Sequence, residues 1–223
     1  MTPKELLATA VRCLASVMAR YSNDIFEWDV VNENLHFNFF EENIGPQASG
    51  MFYHIAHVID PNATLYLNEF NTSLKFQEMY MLVHKRDINK LREIRSYPGN
   101  ENLTVGFGLQ AHFGSGKPLM PYMRAVFDFL SETQMPIWLT EMDVQNNPNQ
   151  AVYLEEIMRE AFSHPGVEGM IVWAPWKLVV EIVPGVCLMD DNFNNTPAGD
   201  VVDKLMAEWR TPDLNGKTNS ADL

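Results

Sequence analysis

Apolar residues along this chain fall into two rhythms that take turns. Leu7, Val11, Leu14, Val17 or Met18, and Tyr21 recur at helical spacing, with Lys4, Arg12 and Arg20 mostly off that face. The opening segment therefore reads as an amphipathic helix, with Thr2-Pro3 placed as an N-cap and a proline at the first helical position. Ser22-Asn23-Asp24 breaks the pattern, and a first strand is predicted from about Ile25 to Asn32. A helix near Ser49–Val58 follows and ends at Asp60-Pro61-Asn62, because proline disfavours helical geometry in the residue before it. Thr64–Leu67 reads as a short strand. A long helix covers roughly Lys75–Arg95 and stops before Pro98-Gly99. Then come a strand over Leu103–Leu109, a helix over about Met120–Thr133 and a strand over Ile137–Thr140. A helix over Gln150–Ser163, a strand over Gly169–Trp173 and a helix over Ala198–Arg210 complete the series.

Strands that alternate with helices of this length predict an α/β fold, a parallel sheet covered by helices. The pattern yields about five strands and six helices over residues 1–210, with a polar tail over 211–223. Eight strands are needed to close a barrel, so a complete barrel is not expected. Polar and aromatic residues gather where the strands end: Asn32 and Glu33, Asn68 to Asn71, Gln110 and His112, Glu141 and Asp143, then Trp173. Ligands sit at that edge in both open α/β sheets and barrels. No glycine-rich phosphate loop occurs there, which counts against nucleotide binding.

The 223 residues carry a formal charge of −13, which argues against nucleic acid and anionic membranes as partners. Hydrophobic content of 46% and charged content of 20% fit a globular protein with one core. No stretch is long and apolar enough to span a bilayer, and Met1–Glu5 lacks a signal-peptide layout. Cys13 and Cys187 belong to no CxxC pattern, so metal binding is not expected; burial as small apolar side chains is, with a disulfide left open. Asn62, Asn71, Asn102 and Asn194 each open an Asn-X-Ser/Thr triplet, a pattern that also arises by chance.

Two carboxylates, Glu33 and Glu141, each close an apolar run. A pair facing one sugar bond is the equipment for glycoside hydrolysis: one protonates the leaving oxygen while the other attacks the anomeric carbon or activates water. Glu33 suits the acid/base role, with the Asn32 amide beside it to bind a sugar hydroxyl. Glu141 suits the nucleophile, with His112 as a donor and Asp143 orienting that imidazole. Gln110 and His112 lie two residues apart and so share a strand face; Gln110 is expected to contact Glu33 and His112 to contact Glu141. Alone, His112 and Gln110 would read as structural, and Trp173 as core. Trp28 and Trp138 read as core. Glu69 is a rival carboxylate with no role expected beyond substrate contact, and Asn68 is a candidate cleft residue.

Trp28-Asp29-Val30-Val31-Asn32-Glu33, Gly106-Phe107-Gly108-Leu109-Gln110-Ala111-His112-Phe113 and Leu139-Thr140-Glu141-Met142-Asp143 resemble the signatures of family 10 glycoside hydrolases, the endo-1,4-β-xylanases. Leu65–Asn71 looks like the family's next strand and Gly169–Trp173 like its last. Cys187–Phe193 followed by Gly199–Leu205 looks like the plant branch. The resemblance implies a (β/α)8 TIM barrel, no cofactor or metal, and xylan or a related β-1,4-linked polysaccharide as substrate. It matches Glu33 to the acid/base and Glu141 to the nucleophile of a retaining mechanism, and Asn32 to the asparagine at the cleavage site. Gln110 and His112 match the residues bonded to the two glutamates, and Trp173 the tryptophan walling the −1 sugar. A secreted, cell-wall location is also implied, against the N-terminal pattern noted above.

The departures matter. The chain is expected to begin at the helix before the family's fourth strand, so three strands and the lysine, histidine and tryptophan they supply are absent. Ala174-Pro175-Trp176-Lys177-Leu178 departs from the family's loop, and a second cleft tryptophan has no clear place. Two readings stay open: an active xylan endohydrolase, or an inactive truncated relative or carbohydrate-binding remnant. Exposed sheet edges should favour partial unfolding or self-association; oligomeric state is otherwise not legible.

Overall fold

The computed structural model describes residues 1–70, 80–173, 176 and 185–211. Its elements are α1 (Pro3–Tyr21), β1 (Glu27–Asp29), α2 (Phe39–Ile44), α3 (Ala48–Ile59), β2 (Thr64–Glu69) and α4 (Tyr80–Arg95). They continue with β3 (Val105–Leu109), β4 (His112–Phe113), α5 (Met120–Ser131), β5 (Ile137–Val144), α6 (Gln150–Ser163), β6 (Val167–Val172) and α7 (Pro197–Trp209). The predicted start of the long helix at Lys75, and the polar tail beyond Thr211, lie outside the described residues.

Among the described residues five strands run side by side as β1-β2-β3-β5-β6, all parallel, and the short β4 pairs with the end of β5. This is a partial barrel: a parallel, helix-covered sheet that stops short of the eight strands needed for closure. Two edges, β1 and β6, remain without a strand partner among the described residues.

Period-two alternation decides which side chains face the helices. Leu65, Leu67, Phe107, Leu109, Ile137 and Leu139 are all buried in one core beneath α3, α4, α5 and α6. On β2 the alternate residues are Tyr66 and Asn68, which face the concave side. Gly106 and Gly108 occupy the matching positions of β3, paired with Tyr66 and Asn68. A Cβ on Gly106 would lie 2.5 Å from the Tyr66 ring, and one on Gly108 3.0 Å from Asn68 Cα, so these two glycines make room for their neighbours' side chains.

The opening helix forms as predicted. Thr2 and Glu5 make a reciprocal capping box, with Pro3 at the first helical position. Met18 is its one fully buried residue and docks α1 onto the core. Cys13 departs from expectation: it lies on the exposed side of α1, while Cys187 is buried, and both are free thiols.

Other departures have local causes. β1 covers only Glu27–Asp29, because the chain after Asp29 already bends toward the turn at Glu33. β5 extends to Val144, where β4 pairs with it. The six-residue α2 was not expected. It is anchored by Glu41, which accepts from Asn34 Nδ2 at 3.2 Å, from the Ser49 hydroxyl and from Lys90 Nζ at 3.4 Å, a network that no periodicity signals.

Candidate active site

Backbone hydrogen bonds between neighbouring strand ends build the site. Glu33 N–H donates to Asn68 O at 2.9 Å, Gln110 N–H to Glu69 O at 3.3 Å, and Glu141 N–H to Gln110 O at 3.1 Å. Glu33, the Asn68-Glu69 pair, Gln110 and Glu141 are thus stitched edge to edge along the C-terminal rim.

Glu33 itself adopts a left-handed backbone with φ 57°, uncommon for a residue with a Cβ. Its carbonyl accepts from the N–H groups of His36 and Phe37, closing a tight turn. Glu69 pins that turn: its carboxylate accepts from Leu35 N–H at 2.7 Å and lies 2.9 Å from His36 Nδ1. Glu69 is 1% exposed, and burial pushes its carboxyl up, against the lowering effect of Leu35 and His36. Glu69 therefore has a structural role where none beyond substrate contact was expected. By strand parity Glu69 points away from Asn68's concave face and seats the loop that carries Glu33 instead.

Asn68 is the hub. Its Nδ2 donates to Glu141 Oε1 at 2.8 Å and to Asn32 Oδ1 at 2.9 Å, while its Oδ1 accepts from Thr140 Oγ1 at 2.5 Å. Thr140 and Glu141 are consecutive, and a regular strand would send them to opposite faces. The register with β6 shifts between Leu139 and Met142, and that irregularity lets both side chains reach Asn68. Thr140 was not anticipated as a site residue. The bulge leaves no mark in the sequence.

Gln110 Nε2 donates to Glu33 Oε1 at 2.8 Å, the contact expected for it, and Gln110 is 2% exposed. His112 places Nδ1 2.8 Å from Asp143 Oδ2 and Nε2 3.4 Å from Glu141 Oε2. The second is an ion-pair distance, looser than a good hydrogen bond. Gln110 and His112 do not share the strand face expected of them. β3 ends at Leu109 and Ala111 beyond it takes φ 62°, so a kink rather than strand alternation sends the two side chains to different glutamates.

Burial pulls the His112 imidazole down, but the contacts to Asp143 and Glu141, and their charges, outweigh it and push the ring up to about 9. His112 is then a cation at neutral pH. Asp29, on β1, is open to solvent on one side; the protein packed around the rest of it, then the charge of Glu141, push its carboxyl up to about 7.

Trp173 follows β6, its N–H donates to Met142 O at 3.0 Å, and its ring meets His112 edge-on at 6.1 Å. It is 39% exposed and so presents a face at the rim rather than filling core. Trp138 is likewise not core: it is half-buried on the concave side against Phe26 and Tyr66. Trp28 is half-buried, with Nε1 donating to Asp60 Oδ2 at 3.0 Å. Trp176 stacks on Phe193 at 4.7 Å. Asn32 is exposed with one amide oxygen engaged by Asn68.

A parallel helix-covered sheet that gathers polar side chains, two glutamates among them, on its C-terminal rim is the architecture of a partial TIM-type barrel. The model of glycosyl hydrolase family 10 matches residues 2–204, and the chain belongs to that family. Endo-1,4-beta-xylanase 5 of Arabidopsis thaliana is 43% identical over 93% of this chain, which spans only 36% of that protein. Anti-sigma-I factor RsgI6 of Acetivibrio thermocellus is 32% identical over 89% of this chain and 25% of its own length. Xylanase 10B from Thermotoga petrophila, solved with xylobiose, superposes with a TM-score of 0.72 at 20% identity, covering 93% of this chain and 68% of that one. That likeness carries the barrel fold.

Proposed function

We propose that this chain carries the catalytic pair of a retaining glycoside hydrolase acting on internal β-1,4 bonds of xylan. One observation carries the reading: Glu33, in the turn that follows β1, and Glu141, on β5, each hold a dedicated donor and are joined through Asn32 and Asn68. Glu141 attacks the anomeric carbon while Glu33 protonates the departing oxygen; Glu33 then takes a proton from water, which releases the sugar from Glu141. The Asn68 amide and the His112 ring hold Glu141 aimed. Gln110 orients Glu33, Asn32 offers an amide to the sugar at the cleavage point, Asp143 fixes the His112 ring, and Trp173 walls the same sugar. Xylan as substrate draws on the family and on relatives named as xylanases. Glu141→Ala should abolish turnover of xylan, and Glu33→Ala should spare substrates with good leaving groups while losing xylan. Wild-type activity in both variants would end the assignment.

A second reading has its own support. One relative over 89% of this chain is named as a regulatory factor. On this reading the rim binds a β-1,4-glycan without cleaving it. Xylo-oligosaccharide binding with no release of reducing ends would favour it.

A further inference from the structure

Among the four Asn-X-Ser/Thr triplets, Asn71 lies outside the described residues; the fold treats the other three differently. Asn62-Ala63-Thr64 and Asn102-Leu103-Thr104 occupy equivalent places in consecutive units. Leu65 on β2 pairs with Val105 on β3, and each asparagine stands three residues before its member of that pair. Both triplets therefore lie side by side at the N-terminal ends of the strands, the end opposite Glu33, Gln110 and Glu141.

Their side chains are also alike. Asn62 and Asn102 are exposed, in turns, while the middle residues Ala63 and Leu103 point inward at 3% and 4% exposure. Neither asparagine amide, and neither Thr64 nor Thr104 hydroxyl, has a hydrogen-bond partner among the described residues. Asn194 is the contrast. Its amide donates to Asp190 Oδ2 at 3.2 Å and its backbone N–H to Asp190 Oδ1 at 2.9 Å. Thr196 Oγ1 accepts from Gly199 N–H at 3.3 Å as the cap of α7 and donates toward the Leu188 carbonyl. An enzyme reading this triplet would have to dismantle a helix cap.

We propose that Asn62 and Asn102 are acceptors for N-linked glycan and that Asn194 is not. The donor is a lipid-linked oligosaccharyl diphosphate. Asn Nδ2 attacks its sugar C1, the C1–O bond to the diphosphate breaks, an N–C1 bond forms, the amide proton is lost to a base, and the lipid diphosphate leaves. The two glycans would clothe the N-terminal rim around β2 and β3 with polar surface and leave the Glu33–Glu141 rim clear. Nothing here depends on catalysis by the chain.

The test is to express the full chain behind a cleavable secretion leader in insect cells and digest the secreted protein. Deglycosylation with an amidase in heavy-oxygen water converts each occupied asparagine to a labelled aspartate. Label at Asn62 and Asn102 and none at Asn194 is the expected result. Asn62→Gln and Asn102→Gln, both surface changes, should each remove one gel-mobility step, and Thr64→Ala and Thr104→Ala should do the same with the asparagine intact. Secreted protein unlabelled at both sites, or labelled at Asn194 as fully as at Asn62, overturns the proposal.

Discussion

A single amide nitrogen, Asn68 Nδ2, lies 2.8 Å from Glu141 Oε1 and carries the link from β2 to β5. The same nitrogen reaches Asn32 beside Glu33, so the two halves of the proposed catalytic pair share one buried support. Asn68→Ala removes the three side-chain contacts of this hub, to Glu141, Asn32 and Thr140, and leaves Thr140 without its partner. The expected cost is about 1–3 kcal/mol of stability, read as a lower urea midpoint. A small misplacement of Glu141 should also reduce turnover by on the order of 100-fold. Normal kinetics with lowered stability would reduce Asn68 to a purely structural role.

Gly108 tests the same support from the other side. A Cβ there would sit 3.0 Å from Asn68 Cα and 3.1 Å from Asn68 Cβ, so Gly108→Ala should push Asn68 out of line. Overpacking of this kind costs roughly 1–3 kcal/mol. Activity should fall further than the shift in melting temperature alone explains. Equal losses in Gly108→Ala and a core variant such as Leu67→Ala would argue against a specific path through Asn68.

His112 sets a pH dependence whose sign is fixed. Its folded value of about 9 lies above the ordinary 6.5, so its contribution to stability is complete below about 6.5 and is lost as pH rises through about 9. Following the ring protons by NMR should give a midpoint near 9, and His112→Gln should flatten the stability profile between those limits. A midpoint near 6.5 would show that the ion pairs with Asp143 and Glu141 are weak.

The open edges make a prediction about the chain as a whole. β1 pairs only with β2 and β6 only with β5, so the outer edge of each is unpaired among the described residues, and Phe26 and Ile171 beside or on them are 66% and 42% exposed. Unpaired strand edges flanked by apolar residues invite association. Light scattering on a size-exclusion column should find mass that grows with concentration. A compact monomer across the range would mean that the edges are protected in a way these contacts do not reveal.

Much of this site could be read from the sequence because strand ends announce themselves. Glu33, Gln110, His112, Glu141 and Asp143 each follow or end an apolar run, and parallel pairing brings such ends to one rim. The contact of His112 with Asp143 follows from residue chemistry, whereas that of Gln110 with Glu33 is present although the shared strand face from which it was expected is not. What escaped were features set by backbone irregularity: the left-handed Ala111, the bulge before Met142, and the turn at Glu33. Glu69 was misjudged for a different reason. Its parity on β2 opposes that of Asn68, a signal that was present, but the His36 loop that receives it comes from far along the chain. Trp138 reads as core because it sits within a strand rather than at its tip, but its ring lies half-buried against Phe26 and Tyr66 on the concave side.

The most direct measurement is trapping with a 2-fluoro xylobioside bearing a good leaving group, followed by peptide mass spectrometry. The account predicts one adduct, on Glu141, formed in the wild type and lost in Glu141→Ala. Folded protein that binds xylo-oligosaccharide yet forms no adduct, or forms it on another side chain, would contradict it.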